Sequence, residues 1–282
     1  HSAILLGVAE ILHGLREELT SPIKLIFQPG EEKTPGGASL MIKAGVLTNP
    51  PVKEMIALHV FPEMEVGKIG FREGLYMASC DEIYLTIHGK GGHGAMPHQT
   101  IDPIMIGAQL LTGLQQIVSR KCDPKIPTVL SFGHFEAIGA TNVIPETALL
   151  KGTFRTMDEN WRATAHELIS DLVHSTCEQY GAKASLEIVK GYPFLSNNPE
   201  LTRSMQQITS DFFGATNVEE LPIRLTSEDF SFYAQEIPVC FFRLGVRNEE
   251  KGIVHGVHHP KFDSDNQALL IGMQAMCLAA FR

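Results

Sequence analysis

Two adjacent acids, Glu31 and Glu32, follow a short apolar segment and a Pro-Gly turn. Residues 22–27 are almost all apolar, which predicts a buried strand with the two acids at its carboxyl end. Ligands collect at that edge of open α/β sheets. Adjacent carboxylates repel each other, and a bound cation would relieve the repulsion while leaving one acid free to move protons. A solvated pair on a surface loop is the simpler interpretation, so other residues must decide.

Two histidines far from the acids in sequence could complete such a site. His59 ends a second apolar segment at 54–60, and His258 lies in a Val-His-His-Pro run. Each has an ordinary interpretation. His59 could be a core histidine with its hydrogen bonds satisfied, and His258 could belong to a polar surface turn. Together with the acids, however, the imidazoles supply the mixed oxygen and nitrogen ligands that zinc, manganese or cobalt accept. The combination predicts a divalent-metal site.

Signatures of a serine or cysteine nucleophile and of a Walker nucleotide site are absent from the sequence. It has no G-x-S-x-G motif, no cysteine in a C-G-[SA]-C context and no Walker motif. A formal net charge of −9 argues against a nucleic-acid or anionic-membrane partner. A small-molecule substrate is therefore favoured.

The cysteines and the hydropathy pattern predict a cytoplasmic protein. The five cysteines are odd in number and form no C-x-x-C pair, which is typical of reduced thiols. No apolar run approaches the ~20 residues of a membrane span. The chain starts at His1 without a basic leader or an initiator methionine, so we expect it to begin inside a domain.

At 282 residues the chain is long enough for two domains. An apolar segment, a short helix at 38–44 and a second apolar segment predict a βαβ unit near the start. The middle of the chain predicts the order β-α-β-β-α-β of a ferredoxin-like domain. Its predicted strands are 82–88, 128–135, 148–155 and 184–189, and its helices are 101–119 and 158–180, the second capped by Asp158. We therefore expect an α/β protein in which a domain at 79–190 is inserted between residues 1–78 and 191–282.

Ordered motifs along nearly the whole chain carry a family resemblance. They are Phe27–Glu32, Leu58-His59, Gly91–His98, Asn142–Pro145, Gly152–Arg155, Ser227–Phe230 and His258–Pro260. With these motifs the chain resembles the bimetallic amidohydrolases of the aminoacylase, hippurate-hydrolase and auxin-conjugate-hydrolase group of metallopeptidases. The resemblance implies a Zn-peptidase-like catalytic domain with an inserted ferredoxin-like lid and dimerisation domain. It also implies two divalent metal ions (Zn, Mn, Co or Ni), a homodimer formed through the lid, and hydrolysis of N-acyl amino acids by a metal-activated water.

The resemblance also assigns roles to the two acids and two histidines described above. Glu31 matches the general base of the family. Glu32, His59 and His258 match metal ligands. These roles are expectations from the family and not from spacing alone.

Three residues of the predicted lid match further functional residues of the family. His93 matches a histidine that reaches the active site of the partner subunit and steadies the tetrahedral intermediate. Asn142 and Arg155 resemble residues that contact the carboxylate end of the substrate or the developing oxyanion. Glu228 and Asp229 lie in a family motif near the site, and the resemblance gives them no specific role.

The chain departs from the family pattern at its start. The family has a Cys-Gly-His-Asp-x-His run there, and His1 matches its last histidine, so the cysteine and first histidine that bind metal are missing. We therefore expect activity from the complete protein, and loss or weak binding of metal in these 282 residues alone. A dipeptidase or carboxypeptidase, or an inactive dimeric homologue, remains an alternative to the aminoacylase interpretation.

Overall fold

A computed structural model of the protein describes residues 1–281. It is an α/β structure, as the sequence predicts. The helices are α1 (Ser2–Gly14), α2 (Gly37–Lys43), α3 (Pro103–Gln116), α4 (Glu159–Gln179), α5 (Pro199–Phe213), α6 (Ser231–Ala234) and α7 (Gln267–Leu278). The strands are β1 (Met55–Glu65), β2 (Ile69–Phe71), β3 (Gly74–Met77), β4 (Asp81–His88), β5 (Gly92–His93), β6 (Thr128–Glu136), β7 (Val143–Ile144), β8 (Thr147–Thr156), β9 (Lys183–Lys190), β10 (Leu195–Asn197), β11 (Val218–Glu220) and β12 (Val239–Arg247).

The chain folds into two compact units. Unit 1 comprises His1–Tyr76, Leu195–Arg224 and the residues from Asp229 on. Unit 2 comprises Met77–Phe194 and Leu225–Glu228. Each unit has its own apolar core, so each is described by itself.

A four-stranded mixed sheet in the order β1-β12-β2-β11 forms the centre of unit 1. β12 is parallel to β1 and antiparallel to β2, and β11 is parallel to β2. One face of the sheet is apolar, because Phe242 and Leu244 of β12 join a buried cluster with residues of α1, α5 and α7. Close packing of α1 on α7 depends on Gly272, where a Cβ atom would lie 2.7 Å from Ile4 Cδ1. The sheet is thus held from one side, which leaves the other face for polar residues.

The predicted strand at 22–27 is wrong, because these residues form no regular strand in the structure. Ile23 and Phe27 are 43% and 46% exposed, so the apolar run does not mark a fully buried segment. A strand needs the backbone groups of a neighbour, and the described residues provide none for this segment. The helix and the second strand of the predicted βαβ unit are present as α2 and β1.

Unit 2 is built on a four-stranded antiparallel sheet in the order β6-β8-β4-β9. With α3 and α4 the order along the chain is β-α-β-β-α-β, so the predicted ferredoxin-like arrangement is confirmed. Ile83, Leu85 and Ile87 alternate along β4 and are buried against residues of both helices. This periodicity of two is what made the strand predictable.

Both long helices of unit 2 begin at an aspartate cap. Asp102 accepts from the backbone N–H of Ile104 at 2.8 Å. Asp158 accepts from the backbone N–H of Trp161 at 2.7 Å, as the sequence predicts. α3 ends earlier than predicted, because the chain changes at Ile117 to a π-helical turn. None of the helices described for residues 1–281 combines the length and apolar character that a membrane span requires.

Candidate active site

The polar face of the unit 1 sheet carries His59. Side chains alternate along β1, so Leu58 and Val60 join the apolar cluster while His59 faces the other way. Arg243 of β12 pairs with His59 in register and is buried. The rings of His59 and Phe241 lie 6.4 Å apart, and the Arg243 guanidinium carbon lies 5.0 Å from the Phe241 ring centroid. A partly buried imidazole and a buried cation therefore share this face.

The hydrogen bond of His59 fixes which ring nitrogen is free to bind a ligand. Nδ1 lies 2.7 Å from the carbonyl oxygen of Val60, and a carbonyl can only accept, so Nδ1 carries the proton. Nε2 is then the unprotonated nitrogen. Burial, together with the charge of Arg243, lowers the pKa of His59 to about 4, so the ring is neutral at pH 7. A neutral imidazole held by a carbonyl is the form in which histidine binds metals.

Glu31 lies in a turn directly after Gly30, which has a positive φ of 72° that glycine adopts without strain. Its side chain is partly buried. Burial raises the pKa of Glu31, and the neighbouring charges of Glu32 and Asp229 raise it further. The backbone N–H of Asp229 and the charge of His258 act in the opposite direction. A carboxylate with a raised pKa is a stronger base than a free one, as a general base requires.

Charge effects on pKa values connect four of the predicted site residues of unit 1. Glu32 is exposed and adjoins Glu31 in the same turn. His258 is also exposed, and its charge acts on the pKa of both Glu31 and His59, which places it near both. The predicted grouping of Glu31, Glu32, His59 and His258 is thus compatible with the structure, while their individual roles stay predictions.

The donor set of this region fits a divalent metal. It combines the free Nε2 of His59, the imidazole of His258 and carboxylates, which are ligand types that zinc and manganese accept. A carboxylate oxygen of Glu31 and one of Asp229 also lie within 4.8 Å of each other. His1 extends the region, because its Nε2 accepts from the backbone N–H of Val60 at 3.1 Å.

Asp229 and Gln28 are two residues of the site to which the sequence analysis gave no role. Asp229 is completely buried. Nε2 of Gln28 donates to both of its carboxylate oxygens, at 2.7 and 2.8 Å, and the backbone N–H of Ala38 donates at 3.0 Å. The only sequence signal was that both residues lie inside motifs, the Phe27–Glu32 segment and the Ser227–Phe230 segment.

In unit 2, His93 and Asn142 lie together. His93 of β5 pairs with Val143 of β7, and the backbone N–H of Gly94 donates to the carbonyl of Asn142 at 2.8 Å. Nδ1 of His93 accepts from the backbone N–H of Ala95 at 3.1 Å. Both side chains are exposed at the end of unit 2 that these short strands form.

Arg155 lies at the other end of β8 from Asn142. The strand begins at Thr147, just after β7, and Arg155 is eight residues further along, roughly 27 Å at ~3.4 Å per residue. Nη1 of Arg155 donates to the carbonyl oxygen of Leu225 at 3.1 Å. Within one chain, unit 2 therefore does not bring the three predicted lid residues together.

Comparison with known proteins identifies the family. The family model for peptidase family M20/M25/M40 matches residues 1–282. The chain belongs to this family. It is 38% identical over 284 residues to thermostable carboxypeptidase 2 of Saccharolobus solfataricus, covering 100% of this chain and 71% of that protein. It is 44% identical over 200 residues to an N-acyl-L-amino acid amidohydrolase of Geobacillus stearothermophilus, covering 71% of this chain and 54% of that protein.

A solved structure agrees with the family. The Bacillus subtilis YXEP protein, a dinuclear metal binding peptidase from the M20 family, matches with a TM-score of 0.77 and 29% identity. The match covers 99% of this chain and 70% of that one. The predicted family, the α/β fold, the hydrolase class and the dependence on metal ions are thereby confirmed. The metal's identity and the choice between amidohydrolase and carboxypeptidase stay open.

Proposed function

We propose that the complete protein hydrolyses the amide bond of N-acyl amino acids, giving a carboxylate and a free amino acid. The observation that carries the proposal is the pairing of a carboxylate of raised pKa, Glu31, with a neutral imidazole, His59, in one region of unit 1. The amidohydrolase of Geobacillus stearothermophilus supports the substrate class, because its name states that activity and it is 44% identical to this chain over 200 residues.

We assign Glu32, His59 and His258 as residues that would hold the metal ions, for which zinc, manganese, cobalt and nickel are candidates. When bound, such ions polarise an amide carbonyl and lower the pKa of a water molecule. The Val60 carbonyl keeps His59 in the tautomer that can bind. The exposed positions of Glu32 and His258 leave both side chains accessible to ions from solution.

Glu31 acts as the general base in this proposal. It takes the proton of the attacking water and passes it to the nitrogen of the departing amine. Its raised pKa suits both steps, because a base of ordinary carboxylate strength would hold the proton too weakly at neutral pH.

Unit 2 supplies the remaining groups as the lid and dimerisation domain, and unit 1 is the catalytic domain. His93 donates to the developing oxyanion, and Asn142 and Arg155 contact the oxyanion or the carboxylate end of the substrate. The separation of Asn142 from Arg155 along β8 supports a homodimer, because the two ends of one lid would serve two different sites. A cytoplasmic location also stays a prediction.

Carboxypeptidase activity is the second candidate, favoured by the 38% identity to the thermostable carboxypeptidase. The complete protein, loaded in turn with zinc, manganese, cobalt and nickel, should be assayed on N-acetyl and N-benzoyl amino acids and on dipeptides with a free amino terminus. Our proposal predicts a higher kcat/KM for the acylated amino acids. A preference for the dipeptides would replace it by the peptidase alternative, and no turnover of either class would favour an inactive homologue.

A further inference from the structure

Asp229 is a completely buried carboxylate that accepts hydrogen bonds from both ends of the loop that carries Glu31. Gln28 precedes that loop and donates to both carboxylate oxygens of Asp229. Ala38 follows the loop, in the first turn of α2, and its backbone N–H donates to Oδ2. Asp229 therefore joins the two ends of the segment 28–38.

The same residue also contacts the side chain of Glu31. The backbone N–H of Asp229 donates a hydrogen bond to the Glu31 carboxylate. The backbone at the two ends of the segment is in close contact, because a Cβ atom on Gly37 would lie 1.6 Å from the carbonyl oxygen of Pro29. A shift of Asp229 would thus move the backbone on both sides of Glu31 as well as the donor that orients its carboxylate.

We propose that Asp229 and Gln28 form a brace that positions Glu31, and that Asp229 does not bind the metal ions. A carboxylate offers about four acceptor sites, and Gln28 and Ala38 use three of those of Asp229. The proximity of Asp229 to Glu31, within 4.8 Å between oxygens, is then a consequence of the brace. This inference rests on the proposed role of Glu31 as the base.

The brace predicts a loss of turnover without a loss of substrate binding, because in this proposal both residues act only on the position of Glu31. Asp229→Asn and Gln28→Glu should each lower kcat of the complete protein about 10- to 100-fold, the range for partners that orient site residues. The KM should change less than about twofold.

An exchange of the two side chains is the sharpest test. The double variant Gln28→Glu with Asp229→Asn keeps an amide-to-carboxylate hydrogen bond, and the amide oxygen at position 229 can still accept from Ala38 N–H. We expect it to recover most of the lost kcat. The matched control is Gln207→Glu with Asp211→Asn, because that pair makes the same hydrogen bond at 2.8 Å on the exposed surface of α5. Its single and double variants should leave kcat unchanged.

Metal content separates the brace from a ligand. With Asp229 as a brace, Asp229→Asn retains the full number of bound metal ions, measured by elemental analysis after dialysis. Loss of one metal ion both in Asp229→Asn and in the double variant would overturn the proposal. Both proteins lack a carboxylate at position 229, so this loss would identify Asp229 as a metal ligand. If Gln28→Glu does not fold, Gln28→Met removes the same hydrogen bonds without adding a charge, and it should show the same loss of kcat.

Amide hydrogen exchange of segment 28–38 tests the brace independently of activity. Amide hydrogen exchange of this segment should be faster in each single variant than in the wild type. In the double variant it should return to the wild-type rate. If it does so while Glu31→Gln keeps full turnover, the proposed function fails and the brace stands. If exchange in the segment is unchanged in every variant, the brace is contradicted whatever the activity.

Discussion

At the scale of single residues, burial decides the properties of the ionisable groups in this protein. His59 has its pKa lowered to about 4, because burial disfavours the charged imidazole. Glu31 has its pKa raised by the same cause, because burial disfavours the charged carboxylate. One physical effect thus lowers the pKa of an imidazole and raises the pKa of a carboxylate within unit 1.

Asp81 of unit 2 shows the opposite outcome for a buried acid. Burial alone would raise its pKa, but hydrogen bonds from Arg162 and His166 outweigh burial and lower the pKa to about 2. Nε of Arg162 donates at 2.9 Å, Nη2 donates to Oδ1, and Nε2 of His166 lies at 2.7 Å. The charged carboxylate is therefore stabilised by the folded state.

We predict from this that Asp81 contributes to acid sensitivity. Because its pKa is lower in the folded than in the unfolded state, its contribution is present above about pH 4, the unfolded value. It is lost as the pH falls from about 4 to about 2. Asp81→Asn should lower the free energy of unfolding at pH 7 by about 3 kcal/mol, because Arg162 loses its buried partner, and the loss should shrink towards pH 2.

Urea unfolding of the complete protein between pH 7 and pH 2 measures this effect. Asp171→Asn is the matched control, since Asp171 is an exposed acid on the same helix, α4, as Arg162. Equal unfolding free energies for the wild type and Asp81→Asn at pH 7 would refute the prediction.

The sequence pointed to the candidate ligands more readily than to the residues that support them. The tandem acids and the two histidines could be proposed because their residue types limit the chemistry, and the charge effects on the pKa of Glu31 and of His59 are compatible with that grouping. Gln28 and Asp229 could not, because a glutamine and an aspartate in a motif do not reveal that they contact each other across 201 positions of sequence. Only the fold creates that contact.

At the scale of elements, periodic patterns were reliable, whereas only one of the two apolar runs, 54–60, became a strand, as β1. The predicted strand 128–135 is found as β6, and the predicted helix 158–180 is found as α4, Glu159–Gln179. Alternation and helical periodicity each record one buried face, which is a local property. The segment 22–27 failed because a strand also needs a neighbour, and that depends on chain remote from it.

At the scale of the whole molecule, the proposal of a shared active site depends on unit 2. His93 and Asn142 lie at one end of it and Arg155 at the other. We predict that His93→Ala and Glu31→Gln variants, each with little turnover, regain activity when their subunits are exchanged by mixing. A random dimer mixture should regain at most about one quarter of wild-type activity, since half of the dimers are mixed and each has one intact site.

The absence of recovery in a mixture shown by mass spectrometry to contain mixed dimers would contradict the sharing of residues between subunits. That result would still be consistent with hydrolysis by each subunit on its own. Two copies of the same variant, mixed in the same way, provide the control.

The central claim is that Glu31 is the base of an amide hydrolysis, and one substitution tests it most directly. Glu31→Gln preserves the size of the side chain and removes its ability to take a proton. The kcat of the metal-loaded complete protein on an N-acyl amino acid should fall about 10²- to 10⁴-fold, with its metal content unchanged. Turnover at the wild-type rate by the metal-loaded Glu31→Gln protein would contradict the account.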